Sequence, residues 1–324
     1  MKNFARFVLL FCSWLFCIIC NANEIHSAAF CYSYNPPIEE LKQFQVVVVD
    51  PDSKLNPKKF DSDHSQAFAY VSIGEIHPSR RYFAKLNPKL WLWGNPYWGS
   101  MLLDHSNHKT RAFIMDYIIT PIWKKGYRGF FLDGLDSYKM VPYLRRESKA
   151  QHEGILKIIL AIKHKYPKSK IILNRGFDFL PKIHHFVYAV TAESVFAAWN
   201  TKYKVYDKVN FLYRQLTVGK LQQIKHKYKL PIIIIDYVSP RQVGQASLIA
   251  SEIRKLGFIP WVTDWKLSMI GVGNKYRYFV TPDRIQKLKK SSILEQFYPY
   301  FYGNILKNIY LNRGHHFFIR QEIK

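Results

Sequence analysis

The sequence predicts an α/β protein built as a (β/α)8 TIM barrel with a basic, aromatic C-terminal extension. Three observations carry this prediction. Short apolar runs rich in β-branched and aromatic residues recur eight times, and longer amphipathic stretches separate them. Two of the runs, Val46-Val47-Val48-Val49 and Ile232-Ile233-Ile234-Ile235, show no polar alternation, as expected of strands buried on both faces of a parallel sheet. No Gly-rich phosphate fingerprint follows any run, which weighs against a doubly wound open sheet, the alternative architecture.

The elements follow in order. Lys2 and Arg6 precede an apolar run from Phe7 to Cys20, and Cys20-Asn21-Ala22 ends it with small residues. This reads as a signal peptide over residues 1–22, with a retained N-terminal anchor as the alternative. The chain is therefore expected to be exported, periplasmic or secreted, with no further membrane span. Cleavage would remove Cys12, Cys17 and Cys20 and leave only Cys31, so no internal disulfide is expected and the core alone must stabilise the fold. The barrel is assigned to residues 23–273. Its strands are expected at Phe30–Tyr34, Val46–Asp50, Phe68–Gly74, Gly129–Asp133, Lys170–Asn174, Phe186–Glu193, Pro231–Tyr237 and Phe258–Thr263. Helices are expected at His108–Lys125, stopped by Gly126, at Glu147–Tyr166 before Pro167, at Tyr203–Tyr228 as two helices, and at Arg241–Leu256, stopped by Gly257. Residues 274–324 hold the last helix and the extension, which carries Phe297-Tyr298-Pro299-Tyr300-Phe301-Tyr302.

Composition narrows the class of function. The chain has 324 residues, 48% hydrophobic and 16% aromatic, too apolar for a disordered protein. Its four Cys exclude a disulfide scaffold. Lys and Arg number 48 against 23 Asp and Glu, a net charge of +25. Such a charge points to an anionic partner: nucleic acid, an acidic glycan or a membrane surface. The basic residues are scattered along helices, as at Lys163–Lys170, Lys220–Lys229 and Lys287–Lys290. That is the pattern of a solvated basic face, and export argues against nucleic acid. Adhesion of a monomer to an anionic envelope surface is the functional version of the same feature.

The strand ends carry the chemistry. Asp50, Asp133, Asn174, Glu193 and Asp236 end apolar runs, and Glu75 lies just past the third. A carboxylate after such a run is costly unless it is solvated, paired or used. A single case is an ordinary helix N-cap. Six polar ends are more than caps require, and a barrel gathers all of them on one face. Two carboxylates facing each other suit glycoside cleavage: one acid protonates the leaving oxygen, the other attacks the anomeric carbon or activates water. Asp133 on the fourth strand and Glu193 on the sixth are the candidate pair. Tyr138, Tyr237, Trp261 and Trp265 are candidate sugar platforms, with barrel-rim packing as the plain alternative.

At these residues a family resemblance emerges. Tyr70-Val71-Ser72-Ile73-Gly74-Glu75 and Gly126-Tyr127-Arg128-Gly129-Phe130-Phe131-Leu132-Asp133-Gly134-Leu135-Asp136 resemble the third- and fourth-strand motifs of the endo-α-1,4-polygalactosaminidase-like glycoside hydrolases. Those are glycoside hydrolase family 114 and the related hydrolase domain of the Pel polysaccharide system. Asn174-Arg175-Gly176-Phe177, Ala192-Glu193-Ser194-Val195-Phe196, Asp236-Tyr237-Val238 and Gly257-Phe258-Ile259-Pro260-Trp261-Val262-Thr263 are similar to the later motifs, in order. The resemblance implies a barrel that hydrolyses galactosamine-containing exopolysaccharide without a metal or other cofactor. It implies Asp133 and Glu193 as the catalytic residues, Asp133 as nucleophile or base and Glu193 as general acid. Asp50, Glu75, Asn174, Asp236, Tyr237 and Trp261 would line the substrate pocket, with Asp136 a partner of the pair or an N-cap.

Other chemistries find less support. The pairs His184-His185 and His315-His316 have no acids at metal-ligand spacing. No His-Glu-x-x-His, Walker, Rossmann or Gly-x-Ser-x-Gly motif occurs. A non-catalytic polysaccharide-binding or envelope assembly factor on the same barrel is the alternative function. A deacetylated galactosaminan is a polycation, which a chain at +25 repels at long range: either an acidic mouth built from Asp50, Glu75, Asp133, Glu193 and Asp236 offsets the field locally, or the substrate is neutral, N-acetylated or anionic.

Overall fold

Eight strands form one parallel sheet whose hydrogen-bonded order follows the chain. They are β1 (Ala28–Cys31), β2 (Val46–Val49), β3 (Gln66–Ser72), β4 (Gly129–Asp133), β5 (Lys170–Asn174), β6 (Val187–Glu193), β7 (Ile232–Tyr237) and β8 (Ile259–Thr263). The computed structural model describes residues 25–140 and 148–272. The expected leader over 1–22 and the extension over 274–324 lie outside them. β1 lies beside β8 and brings the sheet round on itself; just past both strands, the Tyr32 N–H donates to the Leu267 carbonyl at 2.6 Å. The result is the (β/α)8 barrel, with every strand expected from the sequence present and its ends within three residues of those expected.

The strand sequences explain their burial. All four valines of β2 are fully buried, as are Ile233, Ile234 and Ile235 of β7. Such strands have helices on one side and the barrel interior on the other, so no position is left for a polar residue. Phe30, Phe68, Phe130, Phe131 and Phe179 are completely enclosed, each stabilising the fold by about 2–3 kcal/mol relative to an exposed ring. A file of rings leads toward the strand ends: Phe30 meets Phe131 edge-on at 5.2 Å, Phe131 lies 6.2 Å from Tyr70, and Tyr70 lies 4.9 Å from Tyr32.

The first two crossovers are short, each with one helical turn, α1 (Ile38–Leu41) and α2 (Pro57–Phe60). The helix expected at His108–Lys125 spans those residues, as α3, but not as one α-helix. Its segment Ile114–Ile119 is a π-helix between α-helical ends His108–Phe113 and Thr120–Lys125. Pro121 accounts for the change: it lacks an N–H and would press on the carbonyl four residues earlier, and a wider turn relieves both. Gly126, at φ 117°, ends the helix as the sequence predicts. Then come α4 (Ser148–Lys165), α5 (Leu180–Ile183), α6 (Phe211–Tyr228) and α7 (Val243–Lys255).

Two features depart from expectation. Residues Tyr203–Tyr228 are not two helices: Val205–Lys208 pairs antiparallel with Ala197–Asn200 as a hairpin, and only then does α6 begin. Asn210 sets its start by accepting the N–H groups of Leu212 and Tyr213. Between β3 and α3 lies an insert of three short antiparallel strands, Glu75–Ile76, Trp91–Asn95 and Ser100–Leu103. Both additions follow C-terminal ends of barrel strands, so both rise on the face where the polar strand ends gather.

Candidate active site

Asp133, Asn174, Glu193 and Tyr237 end β4, β5, β6 and β7. The residues after the first three adopt left-handed backbone: Gly134 at φ 74°, Arg175 at 58° and Ser194 at 62°. A left-handed residue turns the chain abruptly and ends the strand at the functional side chain. Gly134 also faces Gly74 across a very close backbone approach. A Cβ on Gly74 would stand 1.9 Å from the Gly134 carbonyl oxygen, so only glycine fits beside the strand that carries Asp133.

Asn174 joins the two candidate carboxylates. Its Nδ2 donates to Asp133 Oδ1 at 2.8 Å and to Glu193 Oε1 at 2.8 Å. The accepting oxygens therefore stand no more than twice 2.8 Å apart. Tyr70 donates its hydroxyl to Asp133 Oδ2 at 2.8 Å, and Tyr237 donates to Glu193 Oε2 at 2.7 Å. Each carboxylate thus has both oxygens held by a donor, and each oxygen keeps a lone pair for substrate.

The electrostatics separate the two acids. Burial raises the Glu193 carboxyl to about 7, with the nearby Asp133 charge adding to the rise and the Tyr237, Asn174 and Arg175 groups opposing it. Near neutral pH this site holds an acid able to give up a proton beside Asp133. Burial, then the neighbouring phenol and carboxylates, push Tyr32 far up; burial and Asp133 do the same to Tyr70, and burial and Glu193 to Tyr237. All three stay neutral and keep their protons as donors. Tyr32 and Tyr70 are site residues that strand-end reasoning overlooks. Tyr70 stands two positions before the end of β3, pointing to the same face as Ser72, inside a run that reads as core.

The structure gives the other expected pocket residues different surroundings. Asp50 pairs with Arg80 at 2.8 Å, and the Arg80 guanidinium lies over the Tyr70 ring at 5.7 Å. Burial alone would weaken the Arg80 charge, but Asp50 more than offsets it and holds the proton more tightly. Asp136 pairs with Lys139 at 2.8 Å and accepts the Gly176 N–H at 3.3 Å, tying the loop after β4 to the loop after β5. Three expectations need correction. Glu75 turns into the insert, where Asn95 Nδ2 and Ser100 Oγ donate to its carboxylate. Asp236 is fully buried and accepts the N–H groups of Val195 at 2.6 Å and Phe196 at 3.0 Å. Burial raises its carboxyl to about 7 against the pull of those N–H groups. Trp261 is fully enclosed, edge-on to Phe44 at 5.4 Å, and offers no face to a sugar. The acidic mouth of five carboxylates reduces to Asp133 and Glu193, with Asp50 neutralised beside them.

Of the remaining candidate platforms, Tyr138 is buried, while Trp265 stacks on Trp199 of the hairpin at 4.8 Å, their planes 4° apart. Among the described residues no group of three or more His, Cys, Asp or Glu is arranged to hold a metal ion. Two carboxyls at this spacing, one of them with its proton held up to about pH 7, are equipped for acid-assisted nucleophilic displacement at an acetal carbon.

Comparison with known proteins bears on the fold and the family. No curated protein matches the chain. Among solved structures, the glycoside hydrolase domain of PelA from Pseudomonas aeruginosa is 30% identical, with a TM-score of 0.70 over 76% of this chain and 98% of that one. Ega3 from Aspergillus fumigatus, solved in complex with galactosamine, is 14% identical with a TM-score of 0.56, over 76% of this chain and 93% of that one; at that identity the likeness concerns the fold alone. The family model for glycoside-hydrolase family GH114 matches residues 20–282. The barrel and the sequence match together make the chain a glycosidase, a member of glycoside-hydrolase family GH114.

Proposed function

We propose that the chain is an exported hydrolase of galactosamine-containing polysaccharide that works by double displacement with retention of anomeric configuration. Asp133 is the nucleophile and Glu193 the general acid, then base. The observation that carries this reading is the shared Asn174 amide, which limits the nearest carboxylate oxygens to twice 2.8 Å. Retaining enzymes hold their carboxyls about 5–5.5 Å apart, whereas inverting enzymes need about 6.5–9.5 Å to admit water between them. The substrate class rests on the 30% identical PelA hydrolase domain and on the galactosamine bound in the more distant Ega3.

The steps follow from the hydrogen bonds. Asp133 attacks the anomeric carbon while Glu193 gives its proton to the departing glycosidic oxygen. A glycosyl ester on Asp133 results, and Glu193 is left as the carboxylate. Tyr237 and Asn174 stabilise that carboxylate through the bonds that already oppose its raised pKa. Glu193 then takes a proton from water, whose oxygen displaces Asp133 from the sugar. Tyr70 and Asn174 receive the charge that returns to Asp133. Asp50 with Arg80 borders the same space through the Tyr70 ring.

The test is cleavage of purified galactosamine-rich polysaccharide by the wild type and by Asp133→Asn and Glu193→Gln variants. Release of reducing ends by the wild type, and its loss in both variants, is the expected result. Unchanged release by Glu193→Gln would remove the acid from the mechanism and favour a different pair.

A further inference from the structure

The outer surface after β6 combines exposed apolar side chains with concentrated positive charge. α6 presents a buried face, Thr217, Leu221 and Ile224, to the barrel. Its first turns also carry Phe211 and Leu212, each 64% exposed, and Leu216, 50% exposed. Leu212 and Leu216 are four residues apart and share one stripe. Tyr203 in the preceding hairpin is exposed, and so is Leu248 on the adjacent α7, at 70%. Phe211, Leu212 and Leu216 together make an outward apolar patch on the first turns of α6, and such a patch marks a contact surface. Its charge names the partner. Around these first turns, between Thr201 and Leu216, stand four basic side chains (Lys202, Lys204, Lys208 and Arg214) against a single acid, Asp207.

We propose that this face docks on an anionic lipid membrane, with Phe211, Leu212 and Leu216 entering the headgroup boundary and the surrounding lysines meeting lipid phosphates. Apolar side chains ringed by Lys and Arg are what an interfacial helix offers such a surface. A purely apolar protein partner would not call for the lysines, and a soluble polyanion would not call for Phe211 and Leu212. The hairpin and the start of α6 follow directly from the Glu193 strand, so docking here sets the barrel mouth near the membrane. This proposal is independent of the catalytic assignment.

The experiment is co-sedimentation of the full chain with vesicles of phosphatidylcholine alone and of phosphatidylcholine with an equal part of phosphatidylglycerol. The wild type should bind the anionic vesicles, and added salt should weaken that binding. The Phe211→Ser/Leu212→Ser/Leu216→Ser variant should lose at least tenfold in partitioning, and so should Lys202→Glu/Lys204→Glu/Lys208→Glu. Both variants carry the same chain ends as the wild type, so the difference reports this face. Both should keep wild-type melting temperature, and the triple Ser variant should keep wild-type cleavage of soluble substrate. Equal binding by wild type and variants, or equal binding to neutral and anionic vesicles, would overturn the proposal. So would a wild-type dimer that the triple Ser variant abolishes while vesicle binding persists, because the face would then belong to a second copy of the chain.

Discussion

Asn174 is the residue on which the site turns. One amide nitrogen satisfies both carboxyls, and its contact with Glu193 favours the ionised form of that acid. Asn174→Ala should therefore lower kcat and move the alkaline limb of the pH–rate profile upward, because Glu193 loses a group that stabilises its charge. Glu193→Gln should reduce kcat by about a hundredfold to ten-thousandfold, the range for a lost general acid–base group, and abolish the limb near pH 7. The same raised carboxyl carries a sign for stability. A folded-state pKa above the unfolded value means that the folded protein binds the proton more tightly, so stability is greatest in acid and falls as pH rises through about 7. Glu193 and Asp236 both act in this direction. Thermal melts at pH 5 and pH 8 should show Glu193→Gln gaining on the wild type at pH 8. An equal difference at both values would contradict the shift. At this scale the sequence is half legible. Asp133, Asn174 and Glu193 stand out as polar ends of apolar runs, and Tyr237 as an aromatic beside such an end. Asp236 gives the same signal yet lies fully buried, because a strand-end position does not reveal whether backbone N–H groups will enclose the side chain; Trp261, read as a sugar platform, is likewise enclosed. Tyr70 gives no such signal, since its hydroxyl reaches Asp133 from within the strand.

At the scale of elements, the barrel strands are legible because a doubly covered strand admits only apolar residues, and β2 and β7 are nearly pure in them. The insert after β3 and the hairpin after β6 are not. Their strands are only two to five residues long, too short for a periodicity to mark them in the sequence. The insert nevertheless matters to the site, since it supplies Asn95 and Ser100 to Glu75 and lies next to the loop that bears Arg80. The tightest element junction is Gly74 against Gly134. Gly74→Ala should cost about 3 kcal/mol, the upper range for overpacking a core, because the facing group is backbone and has no rotamer to yield. It should also reduce activity beyond the loss of folded protein, since Gly134 directly follows Asp133. A urea midpoint unchanged from wild type would show that the two strands can separate at little cost.

Across the whole molecule, the charge of +25 has a different setting from the one expected. The strand-end carboxylates do not pool into an acidic mouth. Asp50 is paired with Arg80, while Glu75 and Asp236 are enclosed by donors. Little local field opposes the global one, so a deacetylated galactosamine polymer should approach slowly at low salt. Raising ionic strength should increase kcat/KM on that polycation, because screening shortens the reach of the repulsion to about 10 Å at 0.1 M. A fall in kcat/KM with salt would mean that attraction governs the encounter. No helix among the described residues is long and apolar enough to cross a membrane.

The central claim is that Asp133 and Glu193 act as a closely spaced nucleophile and acid, and the stereochemistry of the product tests it most directly. Proton NMR recorded during the first turnovers on a galactosamine oligosaccharide, before mutarotation, reports the anomer released. The first-formed product should have the same anomeric configuration as the bond cleaved, and a glycosyl ester should form on Asp133 when turnover is slowed. An inverted first product would contradict it, because water would then have to stand between two carboxyls that Asn174 holds together.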